Sequence, residues 1–463
     1  MAAPMPGRCG FFVEKKKRFC KMIVARGKVF CGEHATMEGG VSRRIVCPLD
    51  PKHTVSEDKL DKHLKKCNSR EKPKPVFYVE NINAGSADGD DTLRQVRLGE
   101  LSRSQLESLV EKLKAGVKGL QCDVEDNVLF HPVVQEELTN PKNGDSAHKH
   151  LKQQSSILGH LETRGLLGRG RCFIEFGAGR GKLSHWIHEA LKTPDFLKSP
   201  DLLLTQGDLQ MLLVERSSTR FKVDGKHQDP GVQFERLQVD IQHLDLGRVQ
   251  MLQLKKLPLV GVGKHLCGAA TDLALRCLLG APRPKDGTEP PPKRLKTSEP
   301  ESTDQMSESG ALPGPGPGPG PGPVLGLAVA LCCHHRCEWR HYVGQQFFLQ
   351  QGLGAEEFSA FCRMSSWATC GLRPTNQEHR LQDTTNLRGD DEEHEPAEET
   401  DAVNSFLSSS EREKIGRLCK LLIDGGRLHF LQTRGFDGRL CRYVDTQVTL
   451  ENMLLTAVPS SPS

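Results

Sequence analysis

No window of this sequence approaches the about 18 uninterrupted apolar residues that a membrane-crossing helix needs. Its N-terminus, MAAPMPGRCGFFVEKKKRFC, has no apolar run of the secretory-signal kind. These absences argue against a membrane or secreted protein, and the expectation is a soluble, intracellular chain in the nucleus, the cytoplasm or both. A secreted disulfide scaffold is also a poor description. Sixteen cysteines over 463 residues, in a reducing compartment, are expected to be free thiols or metal ligands. No internal repeat of fixed period is visible. The net charge of +4 implies no partner by itself. Its distribution is more informative, because residues 8–74 hold 18 Lys/Arg against 8 Asp/Glu. The front of the chain therefore suits a polyanion, and the remaining length suits one large domain with a substantial core.

Low-complexity stretches divide the rest. Residues 281–323 carry APRPKDGTEPPPKRLKTSEPESTDQMSESG and then a Gly-Pro alternation, and residues from about 374 to 405 include GDDEEHEPAEETDA. Both hold too few apolar groups to offset ordering entropy and are expected to be disordered inserts. PPPKRLK fits a nuclear signal and equally a solvated basic patch. Between the inserts, RCFIEF (171–176), MLLVE (211–215), FERLQVD (234–240), LPLVGVG (257–263) and VLGLAVALC (324–332) read as buried strands. LSHWIHEALK and TDLALRCLL follow two of them with helical patterns. Strands alternating with helices predict an α/β fold with a mostly parallel sheet.

Ahead of this region, CPLDPKHTVSEDKLDKHLKKC sets Cys47, His53, His63 and Cys67 within 21 residues. The last two are spaced i, i+4 in a helical-looking stretch, so they share a face. Four N/S ligands in a segment with almost no apolar core suit tetrahedral zinc. Cys9, Cys20, Cys31 and His34 form a second possible set, with longer gaps. The plainer alternative for both is scattered surface histidines and small buried cysteines. Lys15, Lys16, Lys17, Arg18 and Lys21 crowd one set and Lys62, Lys65, Lys66 and Arg70 the other. Such charges on metal-pinned modules could grip phosphates, or simply form a solvated face.

In FIEFGAGRGKL a buried strand ends in Glu175, and Gly177, Gly179 and Gly181 alternate before a helix. Glycines there permit a sharp turn and close approach of the backbone to a ligand. A dinucleotide fingerprint wants G-x-G-x-x-G, but position 182 is Lys182. A phosphate loop wants G-x-x-x-x-G-K-[ST], but the glycine spacing is short and Leu183 replaces the hydroxyl. E-x-G-x-G-x-G after a first strand resembles the S-adenosylmethionine loop of class I methyltransferases. That resemblance implies that Glu215, ending the second strand, binds ribose hydroxyls and that Asp240, ending the third, lies near adenine. The long gap before Glu215 is read as a loop insertion.

The fourth strand leads into GKHLCGAATDLALR, and reactive groups in open α/β sheets collect at the carboxyl ends of strands. Lys264, His265 and Cys267 are therefore placed toward the transferred group. A structural ion pair or a packed histidine is the competing account. The fifth strand ends in ALCCHHRCEWRHY, with Cys332, Cys333, His334, His335, Cys337, Glu338 and Arg340. Neighbours on a strand point to opposite faces, so this run is expected to line a pocket or touch substrate rather than converge on a metal.

Taken together, CGFFVEKKKRFCK, CPLDPKHTVSEDKLDKHLKKCNSREKPKP, NPKNGDSAHKHLKQQ, FIEFGAGRGKLSHW, FKVDGKH, GKHLCGAATDLALRC, ALCCHHRCEWRHYVG and MSSWATCG resemble the eukaryotic tRNA 2'-O-methyltransferases that modify nucleoside 4 of the acceptor stem. The resemblance spans nearly everything outside the two inserts. The longer Gly-Pro insert and the loop before Glu215 are the departures from it. It implies a CCCH-type finger (1–40), a CHHC finger of a kind also found in a minor-spliceosome protein (44–72), a linker and helical bridge (73–150) and a class I methyltransferase domain (151–463). It further implies S-adenosylmethionine, two zinc ions and tRNA, through its acceptor stem, as partner; no membrane is expected, and the sequence implies no protein partner. Lys264 is expected to lower the hydroxyl pKa or accept its proton, assisted by His265 or Asp240. The helical segment 101–160 is expected to bridge the fingers and the catalytic domain, with Lys149, His150 and Lys152 reaching the substrate. Two other functions stay open at this point. One is an RNA-binding finger adaptor with an inactive methyltransferase fold, and the other is methylation of a protein or small molecule.

Overall fold

The computed structural model describes residues 6–14, 17–31, 34, 44–67, 69–70, 73–85, 98–120, 124–192, 208–217, 231–280, 321–370 and 407–461. The two expected inserts, apart from 321–323, lie outside the described residues, as do PPPKRLK, FKVDGKH, Lys15 and Lys16. The chain forms two units, Met1–Pro75 and Val76–Ser463.

The second unit is built on an eight-stranded sheet. We label its main strands β1 (Cys172–Phe176), β2 (Leu209–Glu215), β3 (Val232–Gln238), β4 (Leu259–Cys267), β5 (Val324–Cys332), β6 (Phe436–Arg442) and β7 (Met453–Pro459). Their order is β3-β2-β1-β4-β5-β7-β6, with the two-residue strand Glu125–Asp126 beside β6. The strands from β3 to β5 are parallel. β7 alone runs against its neighbours β5 and β6.

Pleating explains why the central strands read as continuous apolar runs. Cys172, Ile174 and Phe176 join Leu212 and Val214 in one core layer. Phe173 joins Met211 and Leu213 in the other. A strand covered on both faces needs apolar side chains at every position. Helices α1 (Arg103–Lys118), α2 (Asp145–Thr163), α3 (Lys182–Lys192), α4 (Ala269–Leu279), α5 (Ala355–Ser365) and α6 (Ser409–Thr433) account for most of the helical content used below. α1, α5 and α6 share a third cluster with Tyr342, Phe348 and Phe358.

All five predicted strands are present. β4 runs on to Cys267, beyond its apolar stretch, and β6 and β7 are additions. The described residues of 101–160 carry α1 and most of α2, with the two-residue strand Glu125–Asp126, a 3-10 turn Pro132–Val134 and the short helix Gln135–Thr139 between them. Residues Phe77 to Asn83 pack along the turn after β3. Val79 N–H donates to the His243 carbonyl at 2.8 Å, and the Asn83 amide donates to the Ile241 and Leu244 carbonyls. Among the described residues no helix is long and apolar enough to cross a membrane.

Candidate active site and metal centres

In the first unit, Cys9, Cys20, Cys31 and His34 have ligand atoms within 4.8 Å of one another, and so do Cys47, His53, His63 and Cys67. In the second set, Cys47 and Cys67 sulfurs are 3.8 Å apart and the two histidine Nε2 atoms 3.1 Å. His63 Nε2 lies 3.2 Å from the Cys47 sulfur. Metal–ligand bonds of about 2.0–2.3 Å in a tetrahedron give edges of roughly 3.3–3.8 Å, so the donors stand as zinc ligands would. Asp50 lies 3.6 Å from His53 Nδ1, on the side of the ring away from the cluster. The hairpin Arg44–Cys47/Asp50–Ser56 supplies Cys47 and His53 and the helix Leu60–Leu64 supplies His63, while Cys67 follows in the turn after that helix rather than on its face. In the first set His34 Nδ1 is 3.4 Å from the Cys9 sulfur and 3.2 Å from that of Cys31, and Phe11 stacks on the His34 ring. Lys17, Arg18, Lys21, Lys62, Lys65, Lys66 and Arg70 are exposed.

In the second unit the strand order reverses between β1 and β4, which is where α/β sheets open a crevice at the carboxyl ends. Gly177, Gly179 and Gly181 all adopt positive φ, at 63°, 48° and 71°. This left-handed backbone favours glycine. A side chain at Gly177 would press on Leu266, whereas at Gly179 it would enter open space. The loop is thus a turn of backbone without side chains at these three positions, open at Gly179.

Two acids hold the loop. Glu175 is buried and accepts hydrogen bonds from the Ser184 N–H at 2.9 Å and from the Ser184 hydroxyl, tying β1 to the first turn of α3. Burial pushes its pKa up to about 7, against the lowering effects of Ser184, Arg236 and Lys264. Glu215 accepts from the Gly179 N–H and the Ser217 N–H, each at 2.9 Å, so its carboxylate links the glycine turn to the turn after β2. Arg236, which no sequence signal marked, donates to the Gly179 carbonyl at 3.0 Å. Asp240 accepts from the Gln242 N–H at 3.0 Å and faces Arg216 at 3.7 Å. It caps the turn after β3, and its described contacts do not include Lys264.

Lys264 and His265 do come together, with two residues of α2. The Lys264 ammonium donates to His150 Nδ1 at 3.0 Å, and His265 Nε2 lies 3.2 Å from Gln153 Oε1. Burial, and then the Lys264 and His265 charges, lower the His150 pKa to about 4. At neutral pH His150 is an uncharged acceptor that fixes the lysine. His265 is a β-bulge residue: Ala330 pairs with Lys264 but Leu331 pairs with Leu266, and His265 has φ 65°. Bulges redirect side chains beside active sites, and a non-glycine residue in this conformation is strained. Lys149 and Lys152 are exposed on α2.

The cluster after β5 divides. His334 turns inward to Asp424 at 2.8 Å, Cys337 lies 3.2 Å from Arg427, and Glu338 and Arg340 pair at 3.1 Å. Cys332 and Cys333, expected on opposite faces, instead converge with Cys267. The pleat ends at Cys333, whose φ is 49°. A cavity of about 300 Å³ lined by Lys420, Leu421, Arg442 and Met453 contains none of the predicted site residues.

A sheet in this order, with a glycine cradle after β1 and an acid at the tip of β2, defines a class I methyltransferase unit, here accompanied by two Cys/His modules. Comparison with known proteins is more particular. The methyltransferase TRM13 family matches residues 152–458, the CCCH zinc finger in TRM13 protein matches residues 7–35, and the U11-48K-like CHHC zinc finger matches residues 44–68. The chain belongs to the TRM13 methyltransferase family. It is 51% identical to the Mus musculus "tRNA:m(4)X modification enzyme TRM13 homolog" over 99% of its own length and 96% of that protein's. The same name, identity and coverage hold for a Homo sapiens relative. A Saccharomyces cerevisiae protein named tRNA:m(4)X modification enzyme TRM13 is 27% identical over 97% of this chain and 95% of its own. No solved structure matches.

Proposed function

We propose that this chain transfers a methyl group from S-adenosylmethionine to the ribose 2'-hydroxyl of nucleotide 4 in the tRNA acceptor stem. The observation that carries this reading is the juxtaposition, at adjacent strand tips, of a glycine loop bonded through Gly179 to Glu215 and a lysine fixed by a neutral histidine. Glu175, Gly177, Gly179, Gly181, Glu215 and Asp240 would hold the cofactor, which supplies a methyl already activated on a sulfonium. Catalysis then rests mainly on positioning, with a proton to be taken from the ribose hydroxyl. Lys264, as an ammonium, stands as the group that polarises that hydroxyl, and it would take the hydroxyl's proton only after giving one of its own to solvent, with His265 beside it. Asp240, the third member of this reading, would have to leave its cap on the turn after β3 to take part. An A-form stem exposes 2'-hydroxyls in its shallow minor groove, so recognition there is of shape rather than of base edges.

The fingers, each holding one zinc ion, would grip phosphates through their exposed lysines and arginines. The proposed division is that of the sequence reading: fingers at 1–40 and 44–72, a bridge at 73–150 and the catalytic domain beyond. The proposed compartment is intracellular. Purified protein incubated with methyl-labelled cofactor and total tRNA should yield an alkali-resistant dinucleotide carrying the label, mapping to nucleotide 4. Label in a base, or in protein, would overturn the reading.

Two predictions follow the separate parts. Glu215→Ala should weaken S-adenosylmethionine binding by about 10–100-fold in calorimetry, the loss of roughly 1.5–3 kcal/mol from charge-assisted hydrogen bonds. Unchanged affinity would remove Glu215 from the cofactor site. Cys47→Ser should release one zinc ion and unfold its module, since such segments fold on metal binding worth about 10–16 kcal/mol. An unaltered zinc content would refute the ligand set.

A further inference from the structure

Three thiols that neither the fingers nor the methyl-transfer reading uses meet at the carboxyl tips of β4 and β5. Cys267 and Cys332 are Cα partners across these strands, and their sulfurs are 3.0 Å apart. Cys333 adds a third, and all three sulfurs lie within 4.8 Å of one another, the spacing that the two finger sets also satisfy. Cys332 and Cys333 are buried, while Cys267 is partly exposed and leaves one side of the cluster open.

The backbone is built around this convergence. Two consecutive residues of a regular strand cannot present their side chains to one point. Cys333 escapes that constraint by taking a left-handed conformation that costs a non-glycine residue strain. Its N–H donates to Glu451, which the buried Lys420 holds at 2.6 Å. On the other side, Gly268 follows Cys267 with φ 59°, and a side chain there would meet the Arg336 carbonyl at 2.4 Å. The turns leaving β4 and β5 are therefore packed backbone to backbone, which holds the sulfurs together.

A coordinated metal deprotonates thiols outright, so three converging sulfurs can all serve one ion as thiolates.

We infer that Cys267, Cys332 and Cys333 form a third metal site, suited to a thiophilic ion such as zinc and leaving one coordination position open toward solvent. Thiolate-only donor sets select zinc or copper(I) over hard cations, and three protein ligands with a free fourth position are the open form of a zinc site. Sulfurs sharing one tetrahedral zinc stand about 3.8 Å apart at bonds of about 2.3 Å, so Cys267 must swing outward by under 1 Å, which its partly exposed position allows. A Cys267–Cys332 disulfide is the rival use of the pair. It leaves the strained approach of Cys333 without a purpose, so the metal is the better account. The ion would pin the two strand tips three residues beyond Lys264. The inference does not depend on methyl transfer.

The test is metal stoichiometry on the full chain, loaded with zinc and desalted, with zinc and protein both quantified. The parent should hold one ion more than its fingers account for. Cys332→Ser and Cys333→Ser should each lose one ion, and combination with Cys47→Ser should lose one further ion. Cys267→Ser, at the open side, keeps the test valid if a buried substitution prevents folding. Cobalt loaded in place of zinc should show thiolate charge-transfer absorption that falls in Cys267→Ser. An ion count unchanged by all three variants overturns the proposal. So does a parent chain, purified without reductant, in which peptide mapping finds Cys267 joined to Cys332.

Discussion

Lys264→Ala should lower the rate of methyl transfer to tRNA by about 10²–10⁴-fold, the range supplied by a positioned proton-transfer group. Its S-adenosylmethionine dissociation constant should stay close to the parent's. The two readouts separate because Glu215 and the glycine cradle hold one site while Lys264 is anchored to α2 through His150. Lys264→Arg should recover only part of the loss, since a planar guanidinium keeps the charge but not the single-nitrogen geometry, nor any ability to take a proton. His150→Ala should lower activity less than Lys264→Ala, because it releases the lysine without removing it. These rates are to be read in single-turnover assays at saturating cofactor, alongside thermal unfolding to show that each variant is folded. Parent-like turnover by Lys264→Ala would remove the residue from the mechanism and leave His265 as the nearest candidate at that strand tip.

Where apolar runs coincide with full burial, the architecture could be read without coordinates. RCFIEF, MLLVE and VLGLAVALC are strands buried on both faces, and their composition alone says so. β6 has no such run. FDGRLCR is half exposed near the sheet edge, where polar residues cost little, and nothing in its composition marks a strand. The polar end of β4 was read as following the strand, whereas pairing continues through Lys264 to Cys267 by bulging out His265. The metal sets of the fingers were legible because their ligands are close in the chain. Cys267 and Cys332 are 65 residues apart. The left-handed turn at Cys333 has no compositional signature either, because cysteine is not a residue that usually adopts it. Arg236 under the glycine loop and Gln153 beside His265 were equally hidden. Their roles exist only once β3 and α2 are laid against β1 and β4.

Arg427→Met should destabilise the second unit by about 3–5 kcal/mol, the cost of stranding buried charges after one partner is removed. Arg427 is 1% exposed and lies between two carboxylates with no exposure. It donates to Asp272 at 2.7 and 3.2 Å and to Asp424 at 2.9 Å. These contacts tie α4 to α6, and His334 joins the turn after β5 to the same Asp424. Burial alone would raise the Asp424 pKa, but His334 and Arg427 outweigh it and hold the carboxyl below its usual range. A carboxyl depressed in the folded state contributes stability above its unfolded pKa of about 4, and loses it as pH falls through the folded value. The deficit of the variant should therefore be complete at neutral pH and shrink in acid, where protonation relieves the stranded carboxylates. Replacing Arg427, Asp272 and Asp424 together with apolar residues of similar volume should restore much of the loss, since no charge then stays unpaired. Urea titrations followed by a probe in the second unit, at neutral pH and near pH 4, read both the size and the sign. A loss under about 1 kcal/mol, or one that does not vary with pH, would mean that these charges are hydrated rather than locked beneath the β5 turn. His334 follows Cys333 directly in the chain. The same variant should therefore loosen the thiol cluster and depress methyl transfer at temperatures well below unfolding.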